Sequence, residues 1–190
     1  MNRRQYLNHS LSILSALYLA PTTLFAQPKR NWSAVEVLQS NWQLLVPQNF
    51  DMVSLQPRIL ISQAEQKKRF TPLEIEVLFD EGTENPYSSP YNDETRPGIY
   101  TCRACSLPLF SSEMKYDSKT GWPSFFTSIP NHMSKKTDYK LIWPRTEYHC
   151  SKCGSHQGHV FKDGPPPTHE RWCNNLSLIH ISEPTRPERI

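Results

Sequence analysis

Four cysteines in two C-x-x-C pairs, Cys102/Cys105 and Cys150/Cys153, constrain this chain more than any other feature. Each pair puts two thiols on one tight turn, and two such turns can close a tetrahedral, structural zinc site. The pairs stand 44 residues apart, well beyond the roughly 15–20 of a simple zinc ribbon. One ion would therefore clip two distant hairpins of a single domain. Closing so long a loop removes much of the entropy of the unfolded chain. Two other uses of the thiols stay open on spacing alone. An exported chain could form disulfides, although bridges within a C-x-x-C turn are strained and cross-pairing leaves the spacing unexplained. A mixed ligand set drawing on His149, His156 or His159 is the other, but four thiols already suffice.

The region around these pairs has a β texture. From about Glu81 to Asn175, short aromatic-rich runs such as "GIYTC", "LPLF", "YKLIWP", "EYHC" and "HQGHVF" alternate with Pro, Gly, Asp, Asn and Ser. That pattern predicts an antiparallel β domain. Helices are expected ahead of it. "SAVE" at residues 33–36 reads as a capping box, with Ser33 as N-cap, Val37, Leu38, Trp42 and Leu45 at helical spacing, and Pro47 as the stop. "TPLEIEVLF" places Thr71 at an N-cap, Pro72 at the first helical position and Glu74 three residues on. Between them, "LQPRILISQAEQKKRF" reads as a linker with a short strand or helix.

Residues 1–26 read as an export signal. "MNRR" is basic and acid-free, "LSILSALYLAPTTLFA" is moderately apolar, and Ala26 is a small residue at the cut. "NRRQYL" resembles a twin-arginine signal, so a bacterial periplasmic protein is expected, with ordinary secretion or an acid-free organelle transit peptide as the alternatives. The apolar run is too short and too broken to span a membrane comfortably. Net charge is +3, of which Arg3 and Arg4 supply two. The remainder is nearly neutral and carries no electrostatic footprint for nucleic acid.

Cys173, in "ERWCNN", is the cysteine left over from the two pairs. In a strand, Arg171, Cys173 and Asn175 would share a face, and a cation beside a thiol favours the nucleophilic thiolate. His156 and His159 supply groups able to donate a proton near neutral pH. A buried, inert cysteine and structurally hydrogen-bonded histidines are the plainer alternative.

"DEGTENPY", "GIYTCRACSLPLFSSEMKYDSKTGWPSFF" and "YHCSKCGSHQGHVFKDGPPPTHERWCNN" occur in this order over residues 71–175. Together they resemble the B type of methionine-R-sulfoxide reductase. The resemblance implies two antiparallel β-sheets with short N-terminal helices, clipped by zinc on Cys102, Cys105, Cys150 and Cys153. It implies Cys173 as the nucleophile that attacks the sulfoxide sulfur and becomes a sulfenic acid. His156 and His159 would bind and protonate the sulfoxide oxygen, Trp122 would pack on the substrate methyl, and Arg171 and Asn175 would order the site. Substrates would be free or protein-bound methionine-R-sulfoxide, in the setting of oxidative stress and protein repair. The reductant would be thioredoxin-like or another thiol, and the enzyme a monomer. A non-catalytic zinc-clipped binding module is the alternative, and it needs neither Cys173 nor the histidines. A redox C-x-x-C would need its pair free of metal.

Three departures from that family stand out. Thr120 occupies the place where many members carry a second, resolving cysteine, so recycling would fall to an external thiol. Gln157 replaces an apolar residue between the histidines, a change expected to affect local packing alone. After Asn175, "LSLIHISEPTRP" resembles a translated transposon-end adapter from DNA sequencing libraries. Residues 176–190 are therefore expected to be non-native, which leaves open whether a natural C-terminus carried a resolving cysteine. "NLSLIHI" nevertheless alternates enough to sit as a strand. The expected organisation is signal 1–26, extension 27–69, reductase domain 70–175 and tail 176–190.

Overall fold

A computed structural model describes residues 32–46, 50–88, 90–139, 143–175 and 179–182. The export signal and residues 183–190 of the tail lie outside these. Among the described residues, no helix is long and apolar enough to cross a membrane.

Among the described residues, three short helices precede the sheets. Helix α1 (Trp32–Asn41) runs into a 3-10 turn, Trp42–Leu45. It begins ahead of the expected cap, and the side chain of Ser33 lies outside the description. Its inward stripe is Val35, Leu38, Trp42 and Leu45, at spacings that hold one face, whereas Val37 points to solvent. Trp42 meets the His132 ring edge-on at 5.5 Å, and Gln39 Nε2 donates to Thr127 Oγ1 at 2.7 Å. The extension is thus packed against the β domain. Helix α2 (Gln63–Arg69) is capped by Ser62. Helix α3 (Pro72–Phe79) carries the full capping box expected at Thr71 and Glu74 and buries Val77 and Leu78.

Two antiparallel sheets follow. The first has the order β2-β1-β9, with β1 Ile99–Cys102, β2 Pro108–Ser111 and β9 Ile179–Ser182. The last of these pairs with β1 in continuous register, Ile99 opposite Ser182. The second sheet has the order β3-β4-β8-β7-β6-β5. Its strands are β3 Lys115–Tyr116, β4 Ser124–Phe125, β5 Met133–Asp138, β6 Arg145–Cys150, β7 His156–Phe161 and β8 Arg171–Asn174.

Aromatic side chains fill the space between the sheets. Phe110 of β2 stacks on Phe125 of β4 at 4.0 Å and meets Tyr148 of β6 and Trp172 of β8 edge-on. Alternation then sends the neighbours of these core residues to the opposite face of the large sheet. Glu147, His159, Arg171 and Cys173 lie there. Of the strand expected at "YKLIWP", residues 140–142 lie outside the description, and Tyr139 and Trp143 beside them are exposed. The strand beside it is the polar β5, "MSKKTD", an edge whose lysines discourage pairing with other chains.

Candidate active site and metal centre

Two tight turns carry the paired cysteines. Ser106 N donates to Cys102 O at 2.7 Å, and Gly154 N donates to Cys150 O at 2.8 Å. A residue of positive φ follows the second cysteine of each pair, Ser106 at 61° and Gly154 at 74°. All five cysteines are free thiols. Cys102 Sγ lies 3.7 Å from Cys153 Sγ, and Cys105 Sγ lies 3.5 Å from Cys150 Sγ. A tetrahedral ion with metal–sulfur bonds of about 2.3 Å separates its sulfurs by about 3.8 Å, so the spacing fits one ion. Four thiols this close cannot all ionise without a cation. Burial pushes the Cys102 thiol well up, while hydrogen bonds from its three cysteine neighbours pull Cys153 down.

Gln157 belongs to this centre. It is fully buried, and its Nε2 donates to Ser155 Oγ at 2.9 Å and to Cys102 Sγ at 3.5 Å. The expectation of a packing change alone is therefore corrected: the amide supplies a hydrogen bond to a sulfur of the four-cysteine cluster, which an apolar residue could not. The N-terminal extension also buttresses the turns, through Ile59 N to Lys152 O at 2.9 Å and Arg69 Nη2 to Ala104 O at 2.6 Å.

Cys173 sits on the middle strand of the other site. It is directly opposite Ser124 on one side and His159 on the other. A cavity of about 130 Å³ opens over it, lined by Thr83, Trp122, Arg145, His159, Phe161, Cys173 and Asn175 among others. Trp122 is pinned there by its indole N–H, which donates to Glu84 O at 3.1 Å. Gly158 allows the strands to close: a Cβ there would stand 1.9 Å from Cys173 O.

Arg171 shares the face of Cys173, as alternation required, but its charge is largely engaged. Nε and Nη2 donate to the two carboxylate oxygens of Asp163 at 2.8 and 2.9 Å, and the guanidinium stacks 4.3 Å from the Phe161 ring. Burial pushes the Cys173 thiol up to about 11, with Arg171 opposing and Asp163 reinforcing the shift. Arg171 favours the thiolate, as expected, but desolvation of the sulfur outweighs the paired arginine.

The two histidines differ in place. His159 lines the cavity, and its Nε2 lies 3.0 Å from Asp138 Oδ2, which also accepts from Arg145 Nη2 at 2.6 Å. Burial lowers the pKa of His159 and Asp138 opposes it. His156 is not at the cavity wall. It is buried behind Asn175, whose Nδ2 lies 3.3 Å from its Nε2. Burial pushes the His156 pKa down to about 4 against the pull of Glu147. Residues three apart on a regular strand face opposite sides. A bulge at Gln157, where Tyr148 pairs with Gly158 but His149 with His156, turns both rings to one face, 5.5 Å apart.

The SelR domain family matches residues 70–182. Peptide methionine sulfoxide reductase MsrB of Methanosarcina barkeri is 47% identical over 124 residues, covering 64% of this chain and 87% of that protein. MsrB of Agrobacterium fabrum is 42% identical over 120 residues, covering 63% and 89%. This chain belongs to the methionine-R-sulfoxide reductase B family. The chloroplastic reductase B1 of Arabidopsis thaliana is 42% identical over 123 residues, and the match spans 61% of its length. Among solved structures, the "Yippee-like" domain of Mis18 overlays with a TM-score of 0.38 at 13% identity over 48% of this chain, too distant to bear on fold or function. The family match includes β9, so its span runs past the Asn175 boundary expected for the reductase domain. Asp138, Arg145 and Glu147 pack against the two histidines and each other and were not singled out in the sequence. Their signal lies in the pairing of β5 with β6, Asp138 opposite Arg145, which no local pattern discloses.

Proposed function

We propose that this chain reduces methionine-R-sulfoxide to methionine with Cys173 as nucleophile. The observation that carries the reading is a thiol outside the four-sulfur cluster, seated in a cavity between the Trp122 ring and His159. Cys173 gives up its proton and its sulfur attacks the sulfoxide sulfur. The S–S bond so formed is transient: the protonated oxygen passes to the Cys173 sulfur as the S–O and S–S bonds break, so methionine leaves and Cys173 is left as a sulfenic acid. The sulfoxide gains two electrons and the cysteine loses two. Oxygen cannot depart as an oxide dianion, so it is protonated as attack proceeds. With Nε2 of His159 directed at Asp138, Nδ1 is the ring nitrogen left to serve the substrate. His156 acts through Asn175, as a positioning residue. Trp122 receives the methyl.

Two external thiols then reduce the sulfenic acid, yielding water and a disulfide and restoring Cys173. Thr120 offers no thiol for this step. The donor is thioredoxin-like or a small thiol, and the substrate is free or protein-bound. The ion held by Cys102, Cys105, Cys150 and Cys153 is zinc, with a structural role. Residues 1–26 would export the enzyme; Arg3→Lys with Arg4→Lys should block export if the twin-arginine route is used, and normal export would point to ordinary secretion.

The test is an epimer-resolved assay with racemic methionine sulfoxide and a thiol reductant. The R epimer should disappear and the S epimer persist. Cys173→Ser should be inactive with its metal content unchanged. Equal consumption of both epimers, or turnover by the serine variant, would overturn the reading.

A further inference from the structure

On the face of the large sheet that carries Cys173, but outside its cavity, Glu147, His149 and His156 gather in a second cluster. Their ligand atoms all lie within 4.8 Å of one another. His149 and His156 stand directly opposite each other on β6 and β7, and Glu147 is two residues from His149 on the same strand. Glu147 and His156 are almost fully buried.

The close contacts in this cluster are at ion-pair distances. His156 Nδ1 is 2.5 Å from Glu147 Oε1, and His149 Nε2 is 3.2 Å from the same oxygen. Both Glu147 oxygens, His149 Nε2 and His156 Nδ1 are shielded from solvent, and none of them makes a well-aimed hydrogen bond. Lys136 Nζ, 3.4 Å from Oε2, offsets part of the carboxylate charge from the edge strand. His149 Nδ1 lies 3.2 Å from Gly154 O. A carbonyl can only accept, so Nδ1 carries a proton, and Nε2 is the ring nitrogen turned toward the carboxylate. A cation seated between Nε2 and the carboxylate oxygen would take both as ligands. A backbone carbonyl holding the far N–H is also how metal-bound histidines are fixed in tautomer and orientation.

We propose that Glu147, His149 and His156 form a second metal site, for one divalent ion of the borderline class such as Zn²⁺ or Co²⁺. Two imidazoles and a carboxylate are the ligands such ions take when a fourth position is left to solvent. Bonds of about 2.0–2.1 Å in a tetrahedron space the ligand atoms by about 3.3 Å. The His149–Glu147 pair already stands at that distance, and the His156–Glu147 pair reaches it by opening about 1 Å. His156 would bind through Nδ1 and keep its proton on Nε2. The Asn175 amide then turns over to present its oxygen to Nε2–H, so the ion sits one hydrogen bond from the cavity wall.

The zinc-loaded protein is titrated with Co²⁺, with bound metal counted by elemental analysis after gel filtration. About one further equivalent per chain is expected, with the weak visible bands of nitrogen and oxygen ligation and without thiolate charge transfer. His149→Gln, at a partly exposed position, should lose that equivalent while retaining the ion of the four cysteines. Glu147→Gln should do the same, and Cys173→Ser should keep both ions. The absence of a second equivalent in the parent protein would overturn the proposal. So would its survival in His149→Gln or its loss in Cys173→Ser. The count does not depend on reductase activity.

Discussion

The reaction of Cys173 with a small aromatic disulfide should keep accelerating until the solution is strongly alkaline. Burial raises its pKa from 9.0 to about 11. At pH 7 its thiolate fraction is then about 1 in 10⁴, against about 1 in 100 for an unshifted thiol. A more basic thiolate is also a better nucleophile, and a Brønsted slope of about 0.4–0.5 returns some 6- to 10-fold. The net rate at pH 7 should fall about 10-fold below that of an unshifted cysteine. The shape of the profile is more telling than the rate. The logarithm of the rate should climb with unit slope from neutral pH and flatten near pH 11, because a raised pKa delays ionisation. Stopped-flow absorbance on the zinc-loaded protein, with Cys173→Ser as blank, measures it without interference from the metal-bound thiols. Arg171→Met should move the midpoint further up, since the guanidinium is the group that lowers this pKa. A midpoint at or below pH 8, or a downward move in Arg171→Met, would refute the argument that desolvation dominates.

Cys150→Ser should release the metal and lower stability by several kcal/mol, as expected for a structural site; unchanged metal content and melting would contradict this. Gly158→Ala should cost about 3 kcal/mol and most of the turnover, because a Cβ would collide with Cys173 O at 1.9 Å; a parent-like melting curve would show that the strands can part freely. One turnover without reductant should leave Cys173 as a sulfenic acid that dimedone traps, with no internal disulfide. Thr120→Cys should then form one. Thr120 Oγ1 shares Ser118 Oγ with Ser124, which lies directly opposite Cys173. Mass spectrometry of the oxidised variant decides, and a bridge from Cys173 to Cys102, Cys105, Cys150 or Cys153 in the parent would undo the recycling argument.

What could be read along the chain was local. The C-x-x-C turns, the Thr71 capping box and the alternation of Arg171 and Cys173 each depend on a few consecutive residues, and each is found where expected. The helical stripe of α1 needed one correction, since Val37 lies off the face set by Val35, Leu38, Trp42 and Leu45. What could not be read depended on which segments meet. β5 is polar because it is an edge, so hydrophobic alternation was silent there, and Asp138 and Arg145 stayed hidden with it. The bulge at Gln157 decides that both histidines share a face, and a strand rule applied to residues three apart gives the opposite answer. It also carries the Gln157 amide to Cys102, some fifty residues away in sequence. Spacing along the chain determined which thiols can hold one ion. Only tertiary burial decided the charge on the thiol that remains, because desolvation is set by everything packed around a sulfur and not by its neighbours in sequence.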